Sequence, residues 1–217
     1  GASLLIREGD PSQVIREVLT EFNIEKVFLN REDTPYGLAR DKEIERTCGD
    51  FGVLLELCSD DHLTVPGLVT KDDGSPYTVF TPYYKKALKF KVPTPVQSSL
   101  ETIVKISGAQ AKEFPEISRW CSAEVPGYGL DFSDSEKILS RLKSMKNYMK
   151  SRDIPSEDGT TRLSAFLRFG VLSARQVFHY FDDEDAEFAE HIRRQLYWRD
   201  FYKQIALNFP KVYKKSF

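Results

Sequence analysis

This sequence is short of the residues that announce a disulfide framework, a metal centre or a hydrolase. Its 3 cysteines, Cys48, Cys58 and Cys121, are odd in number and form no C-x-x-C pair. They read as reduced thiols of a cytoplasmic protein, neither bridged nor holding a metal. His62, His179 and His191 lack metal-ligand spacing. The G-x-G-x-x-G fingerprint is missing, which removes support for a Rossmann dinucleotide site, and no P-loop, nucleophile elbow or zinc signature occurs. No apolar run approaches the length of a membrane span and no signal-peptide pattern opens the chain, so no membrane partner is expected. A global basic excess is lacking too: net charge is −2, so nothing in the total points to nucleic acid.

What is present is an ordinary globular composition, 41% hydrophobic and 29% charged over 217 residues. That length suits one large domain or two small ones. Charge is unevenly spread. Lys137, Arg141, Lys143, Lys146, Lys150 and Arg152 run without an intervening acid, and from His191 onward seven basic residues face only Asp200. An acidic patch, Asp182 to Glu190, lies between. Each basic run fits either a solvated helix face or a surface that meets phosphates. The chain begins at Gly1 and stops soon after Asn208-Phe209-Pro210, and we expect it to be a segment of a longer chain.

The first part alternates strands with helices. Leu4-Leu5-Ile6, Lys26 to Leu29 and Val53 to Leu57 have strand character. Pro11 to Phe22 and Leu38 to about Cys48 have helical spacing, and Thr34 to Gly37 reads as a loop. This β-α-β-α-β order predicts an α/β domain with a parallel sheet over residues 1–92. Lys71 to Tyr77 is an exposed turn and a basic helix is expected from Lys85 to Lys89. Residues 93–130 lose periodicity and carry Pro93, Pro95, Pro115 and Pro126, as an inter-domain connector does. Residues 131–217 read as all-helical. Ser133 and Glu136 form a capping box opening a helix through Tyr148, Ser164 and Ser173 each suit a helix start, and a long helix spans about Glu184 to Leu207.

Two clusters carry chemistry. In Gly159-Thr160-Thr161-Arg162-Leu163-Ser164 the glycine frees the backbone and three hydroxyls stand at a helix start. That suits a capped helix or a phosphate cradle; Arg162 could pair with a phosphate or a structural carboxylate, and Tyr148 and Arg152, one turn apart, could close the site. On the long helix Ile192, Gln195, Arg199 and Tyr202 share a face bordered by Trp198. Gln195 and Arg199 need polar partners if buried, either a ligand or a salt bridge. Trp198 fits a base-stacking ring or a core residue.

The order and spacing of these elements resemble the photolyase/cryptochrome family. The resemblance is carried by Tyr148-x-x-x-Arg152-Asp153-x-Pro155, by Gly159-Thr160-Thr161-Arg162-Leu163-Ser164-x-x-Leu167-Arg168-Phe169-Gly170, by Leu172-Ser173-x-Arg175-Gln176, and by Gln195-Leu196-x-Trp198-Arg199-Asp200-Phe201-Tyr202. Asn30-Arg31-Glu32, Arg40-Asp41 and Tyr77-x-Val79-Phe80-Thr81-Pro82-Tyr83 extend it to the amino-side half. It implies a Rossmann-like parallel α/β antenna domain followed by an all-α FAD-binding domain, here without the family's first strand and the second half of the FAD domain. It implies FAD held by Tyr148, Thr160, Thr161, Leu163 and Ser164, with Ile192, Gln195 and Arg199 toward the ring and the lesion, and Trp198 against a flipped-out pyrimidine pair. A folate- or deazaflavin-type antenna chromophore is a further expected cofactor. UV-damaged DNA is the implied partner, with Gln195 and Trp198 as its contacts, of a cytoplasmic monomer.

The activity implied for the full-length parent, with this segment alone expected to be inactive, is light-driven splitting of pyrimidine dimers by an electron from reduced FAD; a cryptochrome-type photoreceptor or a (6-4) photolyase is the alternative. Two positions depart from the family's pattern. Gln195 stands where many cyclobutane-dimer photolyases have Glu, and an amide cannot protonate a dimer radical. Ile192 stands where an aromatic is common.

Overall fold

Asp10 starts the first helix. Its carboxylate accepts from the backbone N–H groups of Ser12 (3.0 Å) and Gln13 (3.2 Å), and Pro11 fills the first helical position, where no N–H is needed. Helix α1 (Pro11–Glu21) follows. The computed structural model describes residues 5–96, 135–145, 147–181 and 186–215. Strand β1 is Lys26–Asn30, helix α2 Pro35–Asp50 and strand β2 Leu54–Cys58. Glu25 and Arg31 at the ends of β1 bond to Leu54 and Cys58 at the ends of β2. Both partners advance together, so the two strands run parallel, joined by a helical crossover. Leu5 and Ile6 are not in a strand, contrary to the sequence expectation.

Helix α2 begins earlier than the sequence suggested. Residues Thr34 to Gly37 are not a loop: the Thr34 hydroxyl accepts from Gly37 N–H at 3.1 Å and its carbonyl accepts from Leu38 N–H at 2.9 Å. A Cβ at Gly37 would collide with the Glu32 side chain, so this turn needs glycine. Helix α3 (Phe80–Ala87) also starts before the expected Lys85. Pro82 is its third residue, in the first turn where proline is tolerated. Phe80, Tyr83 and Ala87 form its buried face, and Lys85 and Lys86 in the last turn suit the helix dipole.

The carboxyl-side part is helical as expected, with different boundaries. It comprises α4 (Ser135–Lys143), α5 (Tyr148–Ser151), α6 (Leu163–Arg168), α7 (Ala174–Tyr180) and α8 (Ala186–Asn208), closed by a 3-10 turn at Pro210–Tyr213. The helix expected to continue through Tyr148 breaks after Lys143. The hydroxyls of Ser140 and Ser144 bond back to the carbonyls of Lys137 and Arg141 (3.0 and 2.7 Å), drawing carbonyls away from the ladder. Ser164 is the second residue of α6 and not its cap; the cap position belongs to Arg162, in the left-handed region at φ 54°. Gly170 (φ 70°) ends this helix, with Val171 N–H reaching back to Phe166 O at 3.0 Å. Ser173 forms a full capping box with Gln176, as expected. Leu4, Ser133, Cys121, the acidic residues 182–185 and the connector from 97 to 130 lie outside the described residues.

The chain divides into two compact units interleaved in sequence. One takes residues 5–27 and 40–56, with Leu19, Ile44 and Cys48 as its buried apolar side chains. The other takes 28–39, 57–95 and the helical part from 135 onward. Its core is built on α8, which buries Ile192, Leu196, Tyr197, Phe201 and Ile205 against α3, α5 and α7. No described helix is long and apolar enough to cross a membrane.

Candidate functional site

Helix α8 grips the segment leaving β2 residue by residue. Asp200 is 2% exposed, and one carboxylate oxygen accepts from Leu63 N–H (2.9 Å) and Thr64 N–H (3.1 Å). Burial pushes its pKa up to about 6, against the pull of His62, those two N–H groups and Arg199. Arg199 donates to both the carbonyl and the carboxylate of Asp61, and Lys203 pairs with the same carboxylate. From α7, Arg175 donates to Ser59 O at 2.7 Å and lies 3.5 Å from Asp60. His62 Nε2 sits 3.1 Å from Asp33 Oδ2, and Arg31 Nε donates to Asp33 Oδ1 at 3.1 Å. Burial raises the Asp33 carboxyl, but His62, Arg31 and Lys203 outweigh it and hold it below its ordinary value.

This network decides one choice the sequence left open. Arg199 has its polar partner inside the protein, in Asp61, so its burial does not require a ligand. Beside it a cavity of about 390 Å³ is lined by Arg31, Glu32, Asp33, Asp61, Arg168, Arg199, Tyr202 and Lys203 among others. That volume is within the range of small-molecule sites, and the wall mixes cations, carboxylates and two phenols, Tyr202 and Tyr213.

Trp198 belongs to a column of rings. Its indole lies on Phe80 with centroids 3.6 Å apart and planes 9° from parallel. Tyr202 stacks on it at 5.4 Å and 25°, and Tyr84 stacks on Phe80 at 5.5 Å and 15°. Phe80 is buried, Trp198 half-buried and Tyr202 exposed. Helical spacing brings Trp198 and Tyr202 together (i, i+4) on α8, and α3 brings Phe80 and Tyr84 together in the same way.

The hydroxyl-rich turn forms the second group. Gly159 is buried where a Cβ would collide with the Ser151 backbone, so the turn is pressed against the end of α5. Arg162 pairs with Asp158 at 2.8 Å, the carboxylate alternative of the two the sequence allowed. Arg141 of α4 donates to Thr161 O at 2.6 Å. Thr160 and Ser164 are exposed, Thr161 is half-buried, and Leu163 and Tyr148 are buried. The Arg152 guanidinium lies 5.5 Å from the Tyr148 ring, with Nε and Nη1 buried and without a hydrogen-bond partner; its nearest carboxylate oxygen, on Asp153, is 3.6 Å from Nε.

Tyr148 packs on α8 ten residues before Trp198, its ring edge-on to Phe188 at 5.7 Å and 87°. One turn on, Ile192 is 2% exposed and buried in the core, while Gln195 is exposed. Sequence reasoning missed Phe80, Asp61, His62 and Asp200. For Phe80 a signal existed, the apolar spacing of Phe80, Tyr83, Tyr84 and Ala87. For the Asp61–Thr64 segment none did, because its partners lie well over a hundred residues away.

Comparison with known proteins covers the whole of this arrangement. The DNA photolyase family model matches residues 1–99. The deoxyribodipyrimidine photo-lyase of Alkalihalophilus pseudofirmus is 29% identical over 97% of this chain and 46% of its own length. That of a Synechococcus species is 27% identical over 98% of this chain and 48% of its own. Among solved structures, a bacterial class III photolyase from Agrobacterium tumefaciens superposes with a TM-score of 0.79 at 24% identity, covering 95% of this chain and 46% of that one. An archaeal photolyase from Sulfolobus tokodaii, solved with two FAD molecules, gives 0.73 at 24% identity over 95% and 44%. A Synechocystis cryptochrome gives 0.68 at 21% over 96% and 47%. These structural likenesses show the fold. The chain spans about half the length of the curated relatives it matches.

Proposed function

We propose that this chain, which belongs to the DNA photolyase/cryptochrome family, carries the antenna domain (1–92), the connector (93–130) and the first part of the FAD-binding domain (131–217) of an enzyme that repairs pyrimidine dimers in DNA with light. The observation that carries the reading is the pairing of two groups on one helical scaffold. One is a glycine-dependent, hydroxyl-bearing turn beside the half-buried guanidinium of Arg152, two of whose nitrogens are buried without a hydrogen bond. The other is a ring column beside an exposed amide on α8, the helix whose Phe188 also packs on Tyr148.

The residues fit the phosphate end of FAD. The buried Nη1 of Arg152 has no protein acceptor, and a guanidinium N–H left without one suits an anionic oxygen. Thr160 and Ser164 add exposed hydroxyls, Thr161 a third, and Tyr148 and Leu163 form the apolar wall. Gln195 would extend the site along α8, backed by Ile192 in the core rather than lined by it, with Gln195 and Trp198 meeting the lesion. Arg199, tied to Asp61, would serve by fixing the β2 exit segment. FAD, when bound, supplies the light-absorbing electron donor. The cavity lined by Arg31, Asp33 and Tyr202 is the proposed seat of an antenna chromophore of folate or deazaflavin type, its size and mixed polar wall suiting a ring-bearing ligand.

Binding measurements test the reading. We expect flavin absorbance in the purified protein and tighter binding of an oligonucleotide with one cyclobutane dimer than of its undamaged twin. Equal binding of the two oligonucleotides would contradict it. The likeness to a cryptochrome and Gln195 in place of a proton-donating Glu favour one alternative, a photoreceptor. Its signature is bound flavin with no preference for damaged DNA.

A further inference from the structure

Asp200 and His62 each keep one buried polar atom without a hydrogen bond. Asp200 uses Oδ2 for the Leu63 and Thr64 N–H groups, at 2.9 and 3.1 Å. Its Oδ1, on a side chain 2% exposed, accepts from no protein donor. His62 is 5% exposed, and its Nε2 lies 3.1 Å from Asp33 Oδ2 but out of line for a hydrogen bond. Buried donors and acceptors left in this way are costly, and native folds leave few of them.

Both side chains line one small cavity between α8 and the segment that follows β2. It shares no lining residue with the larger cavity beside Arg199. Its volume is about 10 Å³, close to what a single water requires. Thr64, Tyr83 and Gln204 complete the polar part of the wall. Burial holds the Tyr83 phenol above its ordinary pKa, so it stays a neutral hydroxyl. An occupant has to meet a carboxylate oxygen and a ring nitrogen at once. Water does so, accepting from Nε2–H while donating to Oδ1. It also serves Asp200 in either protonation state, since it can accept from a protonated carboxyl. A cation would suit only the ionised carboxylate and would be repelled by Nε2–H. Among the described residues no group of three or more His, Cys, Asp or Glu could hold a metal.

We infer that one buried water bridges His62 Nε2 and Asp200 Oδ1. The segment 62–64 is then held to α8 at three points: the Leu63 N–H, the Thr64 N–H and, through water, the His62 ring. The bridge fixes the tautomer, with the proton on Nε2. It stands independently of the repair reading.

A crystal structure of the chain, with crystals grown in sodium and then soaked in rubidium, tests the inference. A density peak is expected about 2.7–3.2 Å from both His62 Nε2 and Asp200 Oδ1, with no anomalous rubidium signal. In solution the ¹⁵N-labelled Nε2–H of His62, assigned by its loss in His62→Gln, should show a direct cross-relaxation peak to a long-lived water. No density between the two atoms overturns the inference, and so does rubidium bound there, which would make the site one for a monovalent cation. A His62 proton found on Nδ1, or an Nε2–H with no cross-peak to water, overturns it as well.

Discussion

Phe80 and Trp198 lie ring on ring, 3.6 Å between centroids and 9° from parallel, one on α3 and the other on α8. Phe80 is 4% exposed, so its removal loses both burial and stacking. Phe80→Ala should destabilise the fold by about 3–5 kcal/mol, with a red shift of Trp198 fluorescence; Phe80→Tyr should keep the stack. Urea denaturation followed by fluorescence checks both. A loss below about 1 kcal/mol would mean the ring is not packed as described.

Asp200 predicts a pH dependence. Its folded-state value of about 6 lies above the ordinary 3.8, so the fold binds this proton more tightly than the unfolded chain does. The stability it contributes is fully present below pH 3.8 and is lost as pH rises through about 6, on the order of 3 kcal/mol. Asp200→Asn keeps an acceptor for Leu63 and Thr64 and should flatten the stability profile between pH 4 and 6. Asp200→Ala leaves two N–H groups unpaired and should cost about 2–4 kcal/mol at pH 7. An unchanged slope in the asparagine variant would show that Asp200 is not the titrating group.

Gly159 admits no side chain, because a Cβ would strike the Ser151 backbone. Gly159→Ala should therefore displace the turn, costing about 1–3 kcal/mol, and should lower flavin retention more than Ser164→Ala does. Thermal unfolding and flavin absorbance give the two readings. Wild-type stability in Gly159→Ala would contradict the close approach.

Arg199 and Asp61 should behave as a coupled pair. Arg199→Ala and Asp61→Ala are each expected to destabilise, and the double variant to lose less than their sum, with a coupling of about 1 kcal/mol once the partial exposure of Asp61 is discounted. Strict additivity would return Arg199 to a purely ligand-directed role.

The local part of this structure was legible in the sequence. The Asp10-Pro11 start of α1, the apolar runs of β1 and β2, the Ser173 capping box and the long α8 each follow from neighbouring residues. Helices α2 and α3 start before the expected Leu38 and Lys85, with Pro35 and Pro82 in their first turns, where proline is tolerated. The Asp61–Thr64 segment was not legible at all. Its partners Arg199, Asp200 and Lys203 meet it only in three dimensions, and a hydrogen bond spanning 137 residues leaves no local pattern. The same is true of Trp198, whose spacing places it on α8 but says nothing of Phe80 on its face.

Light-dependent repair tests the central claim most directly. The polypeptide carrying this sequence, with flavin confirmed by absorbance, would be mixed with a cyclobutane-dimer oligonucleotide in blue light and in darkness. The account predicts dimer loss in light only. Bound flavin with no light-dependent repair of this lesion or of the (6-4) lesion would contradict it and favour the photoreceptor reading.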